Sequence, residues 1–181
     1  MALHQYAEGV EYKIVVGQPI KTHTSEEKRL IKEMVIGRHE LTVNGRQRQL
    51  LITRCEVAAE GVTAALLIPG GGTVRVIDIG SGTVNYGTLM DRRFNDRGSF
   101  TLVSGMETIR SVNPVAFGRQ IALRALAAGW GKDDAVYLCG GGAEPLLAAI
   151  HAYFPNAQLI PGDPVTANVR AFYLIARKLY G

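Results

Sequence analysis

Asp78 and the glycine-rich residues that follow it are the first part of this sequence suited to binding chemistry. The segment contains Asp78, Gly80, Ser81, Gly82 and Thr83 and separates two apolar runs. Glycines allow backbone amides to approach phosphate oxygens closely, and a row of such amides forms a nest that binds anions. Asp78 is placed to hold Mg²⁺ through water, because magnesium keeps much of its hydration shell. The same pattern also fits a glycine-rich β-turn with a capping aspartate.

A second glycine-rich segment follows another apolar run. It consists of Gly140, Gly141, Gly142, Ala143 and Glu144, with a proline after them. The start of a helix can receive the polar edge of a ligand, and absent side chains leave room for a flat purine and its ribose. A tight strand-to-helix turn that needs positive φ is the alternative. Three consecutive glycines exceed what such a turn requires, which favours a ligand-binding loop.

Both segments lie at the ends of predicted strands in the C-terminal part of the chain. Apolar runs predict strands over residues 74–78, 83–90, 99–104, 135–139 and 159–160. Helices are predicted to start at Pro114 after the N-cap Asn113, at Pro145, and after Asp163-Pro164. The predicted inward stripe of the last helix is Val165, Val169, Phe172, Tyr173 and Ala176. The order β-β-β-α-β-α-β-α predicts an α/β fold, a mixed sheet with helices on both faces.

The first seventy residues alternate strand and helix signals. An apolar strand is predicted over residues 12–16, and Thr24 with Glu27 forms a T-x-x-E capping box that opens a helix. Asn44-Gly45 predicts a hairpin between strands at 41–43 and 50–53. The glycine-rich stretch after Pro69 predicts a boundary between a first segment, 1–70, and a second, 71–181.

These elements and loops resemble the ribonuclease-H-like core of the actin-like ATPase superfamily, in particular the ParM-like and StbA-like bacterial actins. Residues 74–83 resemble their second phosphate motif, and residues 136–144 resemble their G-G-G-A-E adenosine segment. Residues 104–109, with Gly105, resemble the serine-glycine turn after the third strand. Residues 163–173 resemble the closing D-P-x-x-A-N motif and last helix.

The N-terminal part also resembles this family. Residues 14–19 resemble its v-G-L-P strand end, and residues 55–61 resemble the segment in which it carries a Glu or Gln. The resemblance implies that Glu60 orients the attacking water. A solvated loop acid is an equally good interpretation of Glu60.

The resemblance implies an actin-like nucleotide-binding protein of the plasmid-segregation type, with ATP or GTP and Mg²⁺ as cofactors. Its implied catalytic residues are Glu60 and Asp78, and Asp78 is also the residue that holds Mg²⁺ through water. The implied nucleotide-binding residues are Gly80, Ser81, Gly82, Thr83, Gly105, Gly140, Gly141, Gly142, Ala143 and Glu144.

Two departures from the family pattern bear on activity. The family opens with a D-x-G-x-x-x-x-K hairpin whose lysine neutralises the β- and γ-phosphates, and nothing before Tyr12 matches it. The segment between Ile109 and Ala135 is also too short for the helical subdomain that walls the purine pocket in the family. Phosphoryl transfer depends on positioning and charge stabilisation. We therefore expect a shortened actin-like protein that binds ATP weakly and hydrolyses it slowly or not at all.

The predicted strand at 12–16 has no obvious neighbours in the sequence, and exposed strand edges pair with other chains. This predicts a homodimer or filament, or a complementary actin-like chain, with a DNA-bound adaptor as a further partner. The alternative is a non-enzymatic binding or regulatory module that keeps the fold and partners a full-length filament protein. The affinity for ATP and Mg²⁺ distinguishes the nucleotide-binding hypothesis from the binding-module hypothesis.

Composition limits the remaining classes. The chain of 181 residues is 47% hydrophobic and 20% charged, and its apolar runs are shorter than a membrane span. The N-terminus lacks the regions of a signal peptide, and Cys55 and Cys139 lie in apolar stretches, which predicts a cytoplasmic protein with reduced thiols. The net charge is +4, and the basic residues collected between Lys28 and Arg54 lie in a segment that also carries acids and lacks interleaved aromatics, so we expect no direct nucleic-acid binding.

Two other enzyme classes share parts of the pattern. A sugar or acetate kinase would need a substrate-binding acid and a larger second domain, which the sequence does not reveal. A ribonuclease-H-type nuclease needs clustered metal-binding carboxylates, and the predicted strand at 74–78 offers Asp78 alone.

Overall fold

The computed structural model describes residues 2–108 and 113–181. After a short helix, α1 (Ala2–Tyr6), a three-stranded sheet, here called the small sheet, is formed by β1 (Glu11–Gln18), β2 (Gly37–Val43) and β3 (Arg46–Ala59) in the order β1-β3-β2. β1 is parallel to β3, and β2 is antiparallel to β3. Helix α2 (Ser25–Val35) connects β1 to β2 and packs on β3. The strand predicted at 12–16 thus has β3 as its neighbour.

Two local signals in this part are confirmed. The Thr24 side chain accepts a hydrogen bond from the Glu27 N–H at 3.2 Å, so Thr24 caps α2. Asn44 and Gly45 have φ angles of 51° and 75°, as a tight hairpin turn with two left-handed residues requires.

The pairing of β3 with β1 shifts at Thr53. Ile52 and Arg54 pair with consecutive residues of β1, which leaves Thr53 as an extra residue in β3. Such a β-bulge reverses the inward and outward alternation of the strand. The buried positions of β3 accordingly change from even numbers, such as Leu50, to odd numbers, such as Cys55.

A second sheet, here called the large sheet, has six strands. They are β4 (Thr73–Ile79), β5 (Val84–Met90), β6 (Arg93–Phe94), β7 (Phe100–Leu102), β8 (Val136–Cys139) and β9 (Gln158–Leu159). The order is β6-β5-β4-β8-β9, and β7 also pairs with β5. β4, β8 and β9 are parallel, whereas β5 is antiparallel to its neighbours.

Helices cover both faces of the large sheet. The odd-numbered residues of β4, such as Ile77, pack with α3 (Pro114–Ala127) and α4 (Ala143–His151). The even-numbered Val76 packs with a 3-10 helix (Val62–Leu67) and with α5 (Ala167–Tyr180). The α/β class, the mixed sheet and the predicted element order are confirmed.

Two predicted helix starts are wrong. α4 begins at Ala143 rather than Pro145, because the loop glycines already enter the helical turn. α5 begins at Ala167, after Thr166, rather than at Asp163-Pro164. Asp163 instead accepts a hydrogen bond from the Val165 N–H at 2.9 Å, which closes a separate turn before the helix.

The predicted inward stripe of the last helix is also partly wrong. Val165, Val169 and Tyr173 are 66%, 61% and 63% exposed, whereas Ala167 and Ala171 are buried. These small alanines allow α5 to pack closely on the 3-10 helix and on β1. We call the exposed residues Val169, Tyr173 and Leu174 the α5 patch.

Apolar contacts cross residue 70. One buried cluster combines Ala59, Ala64 and Ile68 with Val76 and Ala167. The small sheet is thereby joined to the large sheet through the 3-10 helix, and the boundary at residue 70 stays a prediction. The helices in the described parts of the chain are all too short or too polar to cross a bilayer.

Candidate functional site

Both glycine-rich loops lie at the same edge of the large sheet. β4 and β8 are parallel neighbours, and Asp78 pairs with Cys139 at their carboxyl ends. The turn 80–83 follows β4, and the loop 140–142 follows β8. The Gly142 N–H donates to the Ile79 carbonyl at 3.0 Å and ties the two loops together.

The turn between β4 and β5 presents backbone amides. It is closed by the Gly80 N–H, which donates to the Thr83 carbonyl at 2.9 Å. The N–H groups of Ser81, Gly82 and Thr83 have no hydrogen-bond partner among the described residues. Ser81 and Gly82 are exposed, and a side chain at Gly82 would meet no atom within 4 Å. Unpartnered amides in an exposed turn are groups that an anion can bind.

Gly105 supports that turn from behind. A Cβ atom at Gly105 would collide with the Ser81 carbonyl, and the following Met106 N–H donates to the Gly80 carbonyl at 3.0 Å. Only glycine allows the two backbone segments to lie this close. Ile109, the last residue of the predicted serine-glycine turn, lies outside the described residues.

The three glycines after β8 differ in what they contact. Gly140 has a φ of 85°, and a Cβ there would lie 2.7 Å from Asp78 Oδ1. A Cβ at Gly142 would collide with the Ile79 side chain. Gly141 is exposed and borders open space. Packing therefore accounts for two of the glycines, and Gly141 leaves room for a ligand.

The residues that follow begin α4. Ala143 is buried, whereas Glu144 is exposed in the first turn of the helix. Glu144 therefore has an acceptor group on the solvent side of the loop.

Asp78 is 7% exposed, and the Asn168 Nδ2 donates to its Oδ2 at 3.0 Å. Burial raises the pKa of the Asp78 carboxyl, although hydrogen bonds from Asn168, Asn85 and Cys139 oppose the shift. Burial and the Asp78 charge also raise the pKa of the Cys139 thiol. A buried carboxylate of this kind gains from a cation nearby.

Glu60 lies directly after β3 and is half-buried rather than solvated. Its N–H donates to the Gln18 carbonyl at 2.9 Å, and its side chain lies over Gly17, where a Cβ would be 2.9 Å from Glu60 Oε1. Burial and the negative charge of Asp78 raise the pKa of the Glu60 carboxyl. The structure thus brings Glu60 and Asp78 within electrostatic reach of each other.

The backbone after Glu60 makes an unusual turn. Gly61 has φ 74° and ψ −65°, and the Val62 N–H donates to the Glu60 carbonyl at 2.8 Å. These values define a classic γ-turn, which is rare and strained. A Cβ at Gly61 would lie 3.0 Å from the Cβ atoms of Asp78 and Asn85, so the turn packs directly on β4 and β5.

Sequence reasoning missed several polar residues at this site. Asn85 Oδ1 accepts a hydrogen bond from Thr101 Oγ1 at 2.8 Å, and Thr101 Oγ1 accepts from the Lys21 N–H at 3.2 Å. Gln18 is buried, and its Oε1 has no partner among the described residues. Asn168 stands in the D-P-x-x-A-N segment, which was the available signal for its role. The others become visible only when the two sheets are placed together.

The donor set fits a magnesium ion held through water. The described residues contain no cluster of three or more His, Cys, Asp or Glu side chains that could hold a metal ion directly. Asp78 offers a single carboxylate that is nearly buried behind the open turn. Magnesium is commonly bound by one or two carboxylates with several waters retained. Asp78 would hold the ion, and the amides of the turn would face the phosphates.

No protein-family model matches the chain, and no curated protein sequence matches it. Solved structures do match. An AlfA filament bound to AMPPNP superposes with a TM-score of 0.76 and 18% identity, over 94% of this chain and 61% of that one. The AlfA filament from a Bacillus subtilis plasmid superposes with a TM-score of 0.78 and 16% identity, over 99% of this chain and 64% of that one. An archaeal actin homologue in complex with ADP superposes with a TM-score of 0.72 and 19% identity, over 93% of this chain and 72% of that one.

The fold and its loops define the class: the chain has the actin-like ATPase fold, a ribonuclease-H-like architecture. It spans 61% and 64% of the length of the two AlfA chains. The structures it resembles include filaments and nucleotide complexes.

Proposed function

We propose that this chain is an actin-like nucleotide-binding protein of the plasmid-segregation type that binds ATP or GTP with Mg²⁺ and assembles with copies of itself in the cytoplasm. A complementary actin-like chain and a DNA-bound adaptor are further proposed partners. One observation carries the nucleotide proposal. Asp78, the amide-lined turn 80–83 and the open Gly141 converge at the carboxyl ends of β4 and β8.

The phosphate end of the proposed site is the turn 80–83. The N–H groups of Ser81, Gly82 and Thr83, which have no partner among the described residues, would donate to a phosphate, and Asp78 would hold Mg²⁺ through water. Mg²⁺ would supply charge neutralisation of the phosphates when bound. Gly105 keeps the turn in place because it allows the backbone contact behind Ser81.

The purine end is the loop after β8. Gly141 leaves open space, and the exposed Glu144 accepts hydrogen bonds from ribose hydroxyls. AMPPNP and ADP, which occupy two of the similar structures, are adenine nucleotides, and this supports an adenosine in the loop.

Glu60 is the proposed residue that orients the attacking water. Its raised pKa and its half-buried position beside Gly17 suit a carboxylate that accepts a hydrogen bond from water. The residues named at the site supply amide dipoles and three acids, Glu60, Asp78 and Glu144, but no cationic side chain. We therefore expect slow or absent hydrolysis, since phosphoryl transfer depends on charge stabilisation.

A non-enzymatic module that keeps the fold is the second candidate. The specific observation in its favour is that packing against Asp78 and Ile79 explains Gly140 and Gly142 without a ligand. Such a module would bind a full-length filament protein rather than ATP. Nucleotide affinity distinguishes the two proposals.

The test is a calorimetric titration of the chain with ATP and Mg²⁺. We expect saturable binding in the wild type and its loss in Asp78→Ala. Asp133→Ala, at an exposed aspartate in the loop before β8, is the matched control and is expected to bind like the wild type. Absence of binding in the wild type at millimolar ATP would contradict the nucleotide proposal and favour the binding module.

Self-association is proposed from two surfaces. Within the described residues, β1 pairs with β3 alone, so one edge of an eight-residue strand is unpaired. Helix α5, which packs on β1, exposes the α5 patch beside a groove of about 440 Å³ lined by Leu67 and Arg170. An unpaired edge and a neighbouring apolar face suit a second copy of the chain. Filaments among the similar structures support this choice of partner.

A further inference from the structure

Asn168 lies in the first turn of α5, where the small and large sheets meet. Its Nδ2 donates to Asp78 Oδ2 at 3.0 Å, and its Oδ1 accepts from the Gly61 N–H at 2.9 Å. One side chain therefore joins the end of β4 to the turn that follows Glu60 at the end of β3. Glu60 and Asp78 are the two proposed catalytic acids.

The chemistry of the two partners fixes the orientation of the Asn168 amide. An ionised carboxylate only accepts hydrogen bonds, and a backbone N–H only donates. A reversed amide would place acceptor against acceptor at Asp78 and donor against donor at Gly61. Asparagine is the side chain of this length that offers one donor and one acceptor, and aspartate keeps only the acceptor.

The turn held by Asn168 is strained and tightly packed. A classic γ-turn occurs rarely and persists where surrounding contacts support it. A Cβ at Gly61 would lie 3.0 Å from the Asp78 Cβ, and a Cβ at Gly87 would lie 2.6 Å from the Val62 Cα. Contacts from β4 and β5 thus press on the turn from one side, and the Asn168 amide holds its N–H.

We propose that Asn168 is a positioning residue of the candidate site. It holds the Glu60–Val62 turn on Asp78, so that the acid beside the proposed water and the acid beside the proposed Mg²⁺ keep a fixed separation. It acts through these two residues and does not itself contact the nucleotide. The inference rests on the proposed function for its consequence in nucleotide binding, but not for its effect on the turn.

The first measurement is amide hydrogen exchange at Gly61, read by NMR on the full chain without nucleotide. In Asn168→Ala we expect exchange to become faster on the order of tenfold, because the acceptor for the Gly61 N–H is lost. Asn168→Asp keeps an acceptor, so Gly61 is expected to stay protected. Asn113→Ala is the matched control, since Asn113 caps α3 through the Val115 N–H at 2.8 Å and α3 packs in a different apolar cluster from the 3-10 helix that follows Gly61.

The second measurement is the affinity for Mg²⁺ and ATP in the same variants. Asn168→Ala is expected to bind on the order of tenfold more weakly, because it loses both the donor to Asp78 and the acceptor that holds the turn after Glu60. Asn113→Ala is expected to lose stability but not affinity. This difference separates positioning from a general loss of fold.

Three results are decisive. Unchanged Gly61 exchange in Asn168→Ala overturns the proposal. Faster exchange with unchanged nucleotide affinity overturns the positioning role and leaves Asn168 a purely structural residue. If the wild type binds no ATP, the proposed function is wrong, and Gly61 exchange alone still decides whether Asn168 holds the turn on Asp78.

Discussion

At the scale of single residues, opposing interactions set the pKa of the Asp78 carboxyl. Hydrogen bonds from Asn168 and Asn85 favour the ionised form of Asp78, yet burial outweighs them and raises its pKa. Burial and the Asp78 charge raise the pKa of Glu60 as well. The folded chain thus accepts an electrostatic cost at this edge of the large sheet. Such costs are typical of sites that bind a cation or carry out proton chemistry.

We expect this cost to appear in the pH dependence of stability. Folding raises the pKa values of Asp78 and Glu60 above their ordinary values of 3.8 and 4.5. Between the ordinary and the folded pKa of each group, the folded chain binds more protons than the unfolded chain. The contribution of both groups to the free energy of unfolding therefore falls as pH rises through their folded pKa values. Asp78→Asn removes one of them. Urea denaturation at a series of pH values should show a shallower decline for this variant than for the wild type.

Asp133→Asn serves as the control for that experiment, because it removes an exposed aspartate outside the site. Its pH profile should follow the wild type. Parallel profiles for Asp78→Asn and the wild type would show that the Asp78 carboxyl carries no such cost.

The sequence alone identified the residues that belong to recognisable loops. Asp78 and the glycines of both loops are adjacent along the chain, so their spacing is a direct signal. Asn168 and Gly61 act through a contact between segments separated by 107 positions. The D-P-x-x-A-N segment marks Asn168 but not its contact with Gly61, and the packing of β4 and β5 against the γ-turn joins segments that are distant in the sequence.

At the scale of elements, the contact between α3 and α4 depends on one glycine. Gly118 is buried in α3, and a Cβ at this position would lie 2.5 Å from the Ala149 Cβ of α4. With the two helices this close, α3 and α4 pack side by side on the large sheet, and the loop 140–142 leads directly into α4. Glycine costs about 1 kcal/mol of helix propensity relative to alanine, so close packing must offset that cost.

Gly118→Leu should destabilise the fold by about 1–3 kcal/mol, because overpacking forces the helices apart in spite of the better helix former. Thermal or urea denaturation measures the change. Ala116→Leu, at an exposed position of the same helix, is the matched control and should change stability little. A Gly118→Leu variant as stable as this control would show that the helices can separate without loss.

Element prediction succeeded where the signal is local. The Thr24 capping box and the Asn44-Gly45 turn act through hydrogen bonds and φ values within a few residues. The starts of α4 and α5 were misplaced because Gly142 already has helical backbone angles before Pro145, and because Asp163 closes a separate turn ahead of α5. The inward face of α5 was also misjudged, since small alanines rather than the larger Val169 and Tyr173 face the 3-10 helix.

At the scale of the whole molecule, the exposed α5 patch is the feature most suited to assembly. Val169→Glu with Tyr173→Glu should weaken self-association on the order of tenfold or more, because it places two charges on an apolar contact. Sedimentation velocity over a range of concentrations measures this. Val115→Glu with Leu123→Glu is the matched control, since these α3 residues are 66% and 44% exposed.

The control should associate like the wild type. Equal association of the two double variants, or a wild type that stays monomeric at every concentration, would contradict self-association through α5.

The class of fold and the element order were predictable at this scale. The joining of the two sheets through the 3-10 helix was not predictable from the sequence. The apolar residues of that helix would look the same in the sequence whichever sheet they packed on.

The extra residue at Thr53 divides β3 into two stretches of opposite side-chain phase. β2 pairs only with the first stretch, whereas β1 pairs with Leu51 and Ile52 before Thr53 and with residues 54–59 after it. An insertion at the hairpin turn, beyond the residues that pair with β1, leaves the register of β1 with residues 54–59 unchanged and so does not rotate Glu60 away from Asp78. The tip of this hairpin can therefore change in length without moving the site.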